Sequence, residues 1–278
     1  MQVPKLEARY QMWVALGGRV RLEPTERRVR AVFGGTTVAD TKHAQLLYLP
    51  APLNAYAFPR TDVRWDLVRE SGDPVSMPGV GEVKHWSVAV GGDVREDAVW
   101  TFPHPPQGLE PLSELVLFRW HLVDAWYEED DEVFVHPRDP YHRVDVLNSS
   151  RHVKVSVGGE VLADTRRPRL LFETSLPVRY YIPKLDVRMD LLEPSQTTSR
   201  CPYKGVASYW SVRAAGAHPD IAWSYKAPIP ECPKIENLIA FYNEHVDLDV
   251  DGERLERPRT PWSVPVDGSA TKPNTGTG

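Results

Sequence analysis

The sequence contains only two cysteines, Cys201 and Cys232, in 278 residues. A disulfide framework needs more cysteines at regular spacings, so we expect free thiols and a reducing environment. The chain also lacks any run of about 18 apolar residues, which disfavours a transmembrane helix. Its first residues do not combine a basic stretch with an apolar one, as a secretion signal does. We therefore expect a cytoplasmic protein.

Positive charge is also slightly scarce. There are 33 Lys and Arg against 38 Asp and Glu, a net charge of -5, which disfavours a nucleic-acid partner. The nine histidines never occur in HxH or HExxH spacing, so we expect no metal site built from them. His136 and His142 flank the string PRDPY, and we interpret them as exposed loop histidines; the alternative is a contact across a domain interface.

The sequence contains an internal repeat: residues 56–88 resemble residues 180–212, although the match is not exact. The matched pairs are Gly34 and Gly158, Asp40 and Asp164, Pro59 and Pro183, Trp86 and Trp210, and Trp100 and Trp223. Each copy has about 120 residues, enough for an independent core. We predict an N-terminal arm at 1–18, repeat domains at 19–142 and 143–262, and a disordered tail at 263–278.

The local patterns predict a mainly β fold for both copies. Alternating residues flank Gly34-Gly35, Gly158-Gly159 and Asp251-Gly252, which is typical of hairpins whose turns need positive φ. One short helix is predicted in each domain, because apolar residues recur there at helical spacing. These residues are Leu112, Leu115 and Val116 in the first domain and Ile235, Leu238 and Ile239 in the second.

A row of alternating charges occurs in both copies, and in the second it consists of Asp186, Arg188 and Asp190. On an extended chain these three side chains share one face. The first interpretation is a salt-bridged framework. The alternative makes Asp186 and Asp190 a metal-binding or acid–base pair, although Arg188 would compete for their charge.

Aromatic residues recur on the predicted strands of both copies. In the second copy they are Tyr209, Trp210 and Trp223. Aromatic residues at strand spacing are typical of a core. The alternative is an aromatic cage for a flat or cationic ligand.

Only the second copy carries the string CPYKG, with Cys201, Tyr203 and Lys204; the first copy has Met77 in place of Cys201 and Gly79 in place of Tyr203. Lys204 beside aromatic rings could hold an anionic group while the rings stack on a flat one. The plainer alternatives are a surface lysine and a buried, unreactive cysteine. If the chain has a ligand site, we expect it in the second domain.

The strings PKLDVRMDLLEPSQTTSRCPYKGVASYWSV, AWSY, IAFYNEHVD and VHPRDPY resemble a bacterial and fungal family, domain of unknown function 427, in tandem form. This resemblance implies a small β domain similar to the β-tent architecture of methionine sulfoxide reductase B and the cereblon ligand-binding domain. Many β-tent domains hold zinc with four cysteines, which two isolated cysteines do not provide. Family naming also implies nucleotidyl transfer, with Mg²⁺ as its cofactor.

We therefore predict a binding module for a small molecule or a modified residue, without a cofactor. Its pocket would combine Tyr203, Lys204, Tyr209, Trp210 and Trp223. The alternatives are a nucleotidyltransferase-like enzyme and a redox enzyme based on Cys201. We expect a monomer in which the two copies form an internal pseudo-dimer, with neither nucleic acid nor membrane as a partner.

Overall fold

The computed structural model describes residues 20–49, 54–77, 81–213, 218–260 and 262–263. The predicted arm at residues 1–18 and, apart from Ser263, the predicted tail lie outside these described residues. The chain divides into two compact units between Pro137 and Arg138. In the described part, no helix is long and apolar enough to cross a membrane.

The first domain consists of short strands joined by turns. Its strands are β1 (Arg21–Pro24), β2 (Val29–Phe33), β3 (Thr36–Thr41), β4 (Gln45–Tyr48), β5 (Asn54–Pro59), β6 (Val68–Glu70), β7 (Val75–Met77), β8 (Gly81–Val90), β9 (Asp93–His104), β10 (Leu115–Phe118), β11 (Ala125–Glu128) and β12 (Asp131–Glu132). Its 3₁₀ helices are Arg60–Asp62, Trp65–Leu67, Glu110–Glu114 and Trp120–Leu122.

The second domain repeats this order. Its strands are β13 (Val144–Asn148), β14 (Val153–Val157), β15 (Glu160–Thr165), β16 (Arg169–Glu173), β17 (Arg179–Tyr181), β18 (Leu192–Cys201), β19 (Gly205–Val212), β20 (His218–Pro228), β21 (Ala240–Phe241), β22 (Asp247–Val250) and β23 (Glu253–Arg254). Its 3₁₀ helices are Lys184–Asp186, Met189–Leu191 and Pro233–Ile235.

Each domain contains a long sheet and a short sheet. In the first domain the long sheet has the order β1-β4-β5-β10-β9-β8-β6, with β7 also on β8, and the short sheet is β12-β11-β2-β3. In the second, β13-β16-β17 and β18-β19-β20-β21 are joined by an antiparallel bridge between Ile182 and Ile239, and the short sheet is β15-β14-β22-β23. The predicted mainly β fold is confirmed, and the sheets are compatible with a β-tent-like fold.

The predicted hairpins are confirmed. Strands β2 and β3 pair around Gly34-Gly35, β14 and β15 pair around Gly158-Gly159, and β22 and β23 pair around Asp251-Gly252. The first strand of each of the two glycine hairpins buries its alternating apolar residues, so these side chains face one core. Strand alternation and turn chemistry together therefore determine these elements.

The long sheet of each domain carries apolar side chains on both faces. On the inner face the short sheet packs against it, through Val29 and Phe33 in the first domain and through Val153 and Val155 in the second. A second cluster of buried residues lies on the outer face. Its members include Leu47, Phe102 and Leu117 in the first domain and Leu171, Tyr225 and Ala240 in the second.

The helix predicted in each domain is wrong for most of its length. In the first domain the predicted helix begins within the 3₁₀ helix Glu110–Glu114, but the chain then continues as strand β10. In the second, the 3₁₀ helix Pro233–Ile235 is followed by β21. All four residues of β10 are buried, because this strand lies between β5 and β9 with both faces covered. A short, fully apolar run is therefore ambiguous between helix and buried strand.

Gly205 begins β19 directly after a turn, at a position where a side chain has little room. Its φ is +103°, and an added Cβ would lie 3.3 Å from the amide nitrogen of Ile229 and 3.4 Å from the carbonyl oxygen of Ala227. Gly252 also has a positive φ, +88°, but an added Cβ there meets nothing within 4 Å. Backbone conformation strains alanine at both sites, whereas crowding by the main chain affects only Gly205.

We expect Gly205→Ala to lower the free energy of unfolding by at least about 1 kcal/mol more than Gly252→Ala, which itself costs about 1 kcal/mol. Urea denaturation of both variants beside the wild type measures the difference. If both variants lose the same free energy of unfolding, crowding by the main chain at Gly205 does not add to the cost of a side chain there.

Candidate functional site

The predicted site residues of the second domain lie on three parts of the long sheet and on the segment beside it. Cys201 ends β18, Tyr203 and Lys204 form the turn to β19, Tyr209 and Trp210 lie on β19, and Trp223 lies on β20. Asp186, Arg188 and Asp190 lie within or next to the two 3₁₀ helices that follow β17.

The sheet separates the two predicted tryptophans. Tyr209 pairs directly with Trp223 across β19 and β20, so these rings share the outer face. Trp210 pairs with Ala222 and packs in the inner core instead. Neighbouring residues on a strand point to opposite faces, so Trp210 cannot complete one pocket with Trp223.

The three charged residues of the row do not form one cluster. Asp186 has its own partners, and Arg188 pairs with Asp190. Asp186 accepts hydrogen bonds from the Thr165 hydroxyl at 2.7 Å and from the Arg167 guanidinium at 2.9 Å. Arg188 donates two bonds to Asp190, at 2.9 and 2.6 Å. The hydrogen bond from Arg188 lowers the pKa of Asp190. Both carboxylates therefore already have cationic partners.

The first domain shares two of these contacts, the hydrogen bond from threonine to aspartate and the Arg–Asp pair. There the Thr41 hydroxyl donates to Asp62 at 2.5 Å, and Arg64 donates to Asp66 at 2.8 and 2.6 Å. Because both copies form these contacts, the geometry agrees with the framework interpretation of the row. Exposed pairs of this kind contribute little to stability.

Lys204 is buried, unlike a surface loop lysine, and forms an ion pair with Glu173 at the end of β16. The second carboxylate oxygen of Glu173 is 3.0 Å from His142 Nε2. The His142 ring in turn stacks on Tyr203, with ring centroids 4.1 Å apart and planes inclined by 17°. His142 is therefore part of this network and not an exposed loop residue.

Electrostatics keeps Glu173 ionised in this network. Its side chain is only 5% exposed, and burial by itself would raise its pKa. The hydrogen bond with His142 and the charge and hydrogen bond of Lys204 outweigh burial and lower the pKa to about 2. Lys204 and Glu173 thus form a buried ion pair, and His142 forms a hydrogen bond with the same carboxylate.

Both cysteines lie near this network as free thiols. Burial raises the pKa of Cys201, although the charge of Lys204 opposes this effect. Burial likewise raises the pKa of Cys232 to about 11. Thiolate, the nucleophilic form, is therefore scarce at both residues near neutral pH.

A second buried ion pair lies on the same domain. Arg179 on β17 donates to both carboxylate oxygens of Glu244, at 2.6 and 2.7 Å. Its guanidinium carbon is 5.6 Å from the centroid of the Trp223 ring, 5.7 Å from Tyr242 and 5.8 Å from Trp262. The chain's own arginine thus occupies the position that a cation takes among aromatic rings.

The two domains differ on the outer face of the long sheet. Strand register and the repeat align apolar residues of the first domain with polar or ionisable residues of the second. The aligned pairs are Leu49 and Glu173, Ala55 and Arg179, Ala57 and Tyr181, Met77 and Cys201, Phe102 and Tyr225, and Leu109 and Cys232.

Three residues of these networks, Glu173, Arg179 and Glu244, were not predicted from the sequence. Comparison of the two copies position by position carries a signal for two of them, because Glu173 aligns with a leucine and Arg179 with an alanine. A charged residue in place of an apolar one on a buried strand indicates a buried pair.

The family model described as domain of unknown function DUF427 matches residues 21–129 and again residues 145–252. The chain belongs to the DUF427 family. The resemblance drawn from the sequence motifs is thereby confirmed. The short label of the family model refers to nucleotidyl transfer. A comparison with curated proteins finds none that matches.

In the described residues of this DUF427 protein, no group of three or more His, Cys, Asp or Glu side chains is arranged to hold a metal ion. Asp186 and Asp190, the pair considered for Mg²⁺, each have an arginine partner. The residues present therefore fit Mg²⁺ poorly at this position.

We expect Lys204→Met to lower the free energy of unfolding by about 3 kcal/mol, because Glu173 would remain buried without its ammonium partner. The double variant Lys204→Met/Glu173→Gln should recover most of this loss. Lys226, an exposed lysine on β20, provides the matched control Lys226→Met, with an effect within about 0.5 kcal/mol. Urea denaturation measures all three, and a double variant as unstable as Lys204→Met would contradict the ion-pair explanation.

Stability should also depend on pH through Glu173. Its pKa falls from an ordinary 4.5 to about 2 on folding, so its contribution is complete above pH 4.5 and is lost as the pH falls toward 2. The difference corresponds to about 3 kcal/mol. Urea midpoints from pH 6 to about pH 2 should fall less steeply for Lys204→Met/Glu173→Gln than for the wild type. If the urea midpoints of the two proteins fall equally steeply with pH, Glu173 is not the source of this pH dependence.

Proposed function

We propose that the second domain binds a small planar molecule, or a modified side chain, on the outer face of its long sheet. The site comprises Tyr203, Tyr209 and Trp223 around the Lys204–Glu173 pair, with His142 at its edge. One observation carries the proposal: on this outer face, the second domain buries charged pairs and tyrosines at positions where the first domain has apolar residues.

Energetics supports a functional reason for this difference. Burial of an ion pair has a desolvation cost that well-packed apolar residues avoid. At the aligned positions the first domain has leucine, alanine, methionine and phenylalanine, so the fold itself does not require charges there. Perturbed ionisable groups that cluster in this way are typical of functional sites.

The chemistry of the face suggests the ligand class. The stacked rings of Tyr203 and His142 are both partly exposed and offer a flat surface. An ammonium group has three hydrogen-bond donors, and a ligand carbonyl or oxyanion could accept from Lys204 beside Glu173. A flat ring with a polar edge therefore matches the site best.

The enzyme alternatives have less support. The family label favours nucleotidyl transfer, but Asp186 and Asp190 are already paired with arginines. Redox chemistry at Cys201 needs an accessible thiolate, and burial raises the pKa of that thiol. Both alternatives are outcomes of the experiment that follows.

The test is a thermal-shift screen followed by calorimetric titration, using nucleosides, nucleotides with and without Mg²⁺, cyclic imides and methionine sulfoxide. A ligand present at 100 times its Kd should stabilise the protein by about 2.7 kcal/mol. Tyr203→Phe keeps the stacking ring and should keep the shift, whereas Tyr203→Leu should lose it. Lys226→Met serves as the control for the surface charge.

Each outcome has a distinct meaning. Stabilisation that requires a nucleotide together with Mg²⁺ would favour the transferase alternative. Consumption of methionine sulfoxide that Cys201→Ser abolishes would favour the redox alternative. If no compound stabilises the protein, or if Tyr203→Leu responds like the wild type, the proposed site is wrong.

A further inference from the structure

The outer face of the first domain has its own aromatic and cationic cluster, formed by His85, Trp100 and Arg119. His85 on β8 pairs directly with Trp100 on β9, and their ring centroids lie 5.8 Å apart. Arg119 follows β10, and its guanidinium carbon is 5.0 Å from the centroid of the Trp100 ring. All three residues are partly exposed, so the cluster reaches the surface.

Two hydrogen-bond donors in this cluster have no acceptor among the residues that the structure describes. The indole Nε1 of Trp100 and the guanidinium Nε of Arg119 are both buried without a hydrogen-bond partner. Arg119 also has no carboxylate within ion-pair distance in the described part of the chain. An unsatisfied buried donor costs about 1–3 kcal/mol, so two adjacent ones call for an explanation.

In the second domain the indole and the guanidinium beside it both have acceptors, although the arginine comes from another position, since Arg119 aligns with Tyr242. Trp223, which aligns with Trp100, donates its indole N–H to the Tyr181 hydroxyl at 3.1 Å. The guanidinium beside Trp223 belongs to Arg179, and Glu244 accepts from both of its terminal nitrogens. In the first domain Ala57 stands at the position of Tyr181, and His121 at the position of Glu244. The first domain thus keeps a cation on the tryptophan without these acceptors.

Stacking alone does not account for Arg119. A cation–π contact contributes about 0.5–2 kcal/mol, but it satisfies none of the five guanidinium N–H donors. Burial, and next the charge of Arg119, lower the pKa of His85, while Asp97 opposes them. His85 is therefore neutral near pH 7 and adds no second cation.

We propose that the His85–Trp100–Arg119 cluster is a second ligand site, which binds a small molecule that carries a carboxylate or a phosphate on a flat ring. The oxyanion pairs with the guanidinium of Arg119, whose planar donors match its geometry. The ring packs against His85 and Trp100. All three residues belong to the first domain, so this site does not depend on the one proposed for the second domain.

The test observes Trp100 directly, by NMR of protein labelled with ¹⁵N at the tryptophan indoles, with Trp100→Phe to assign its signal. The probes are benzoate, phenyl phosphate, inorganic phosphate and the neutral analogue benzamide. We expect benzoate and phenyl phosphate to shift the Trp100 signal, and benzamide to leave it unchanged. Arg119→Gln should weaken binding at least about tenfold, a loss of about 1.4 kcal/mol.

Arg60 provides the matched control, because its guanidinium also stacks on a tryptophan of the first domain, 4.4 Å from the ring centroid of Trp65. Arg60→Gln should bind like the wild type, and so should Tyr203→Leu, whose change lies in the other domain. If Arg119→Gln does not fold, Arg119→Lys replaces it and should weaken binding through loss of the planar donors. No shift at millimolar probe, a shift with benzamide, or equal binding by the Arg119 and Arg60 variants would overturn the proposal.

Discussion

Burial of the long sheet on both faces is the constraint on which each domain depends. Because side chains alternate along a strand, each strand of this sheet serves two separate cores. The inner core, against the short sheet, is apolar in both copies. The outer core is where the copies differ, since it carries leucine and phenylalanine in the first domain and tyrosine and cysteine in the second.

This division separates the requirements of folding from those of recognition. The inner core, the hydrogen bond from threonine to Asp186 or Asp62, and the pairs Arg188–Asp190 and Arg64–Asp66 recur in both domains and support the shared framework. The outer face tolerates change, because a fold held by its inner core can accept polar groups there when they are paired. Glu173, Lys204 and His142 satisfy one another, as do Arg179 and Glu244.

Local patterns predicted much of the fold. Glycine turns between alternating strands gave the hairpins correctly, since turn geometry and strand period are local properties. The apolar run from Leu115 to Phe118 was wrongly predicted as helix, because helical spacing and a fully buried strand produce the same pattern in a short segment. Trp210 was predicted to line one pocket with Trp223, but it packs in the inner core. Which face of the sheet a residue lies on depends on strand register.

The sequence by itself determined the repeat, the family, the mainly β class and the domain in which polar residues replace apolar ones. Only the tertiary structure decided which of those residues meet. Glu173 and Lys204 are 31 positions apart, and Arg179 and Glu244 are 65 apart. No local period links residues at such separations, because their contact arises from the order of strands in the sheet. Strand pairing between distant segments therefore brings these polar residues together in buried networks.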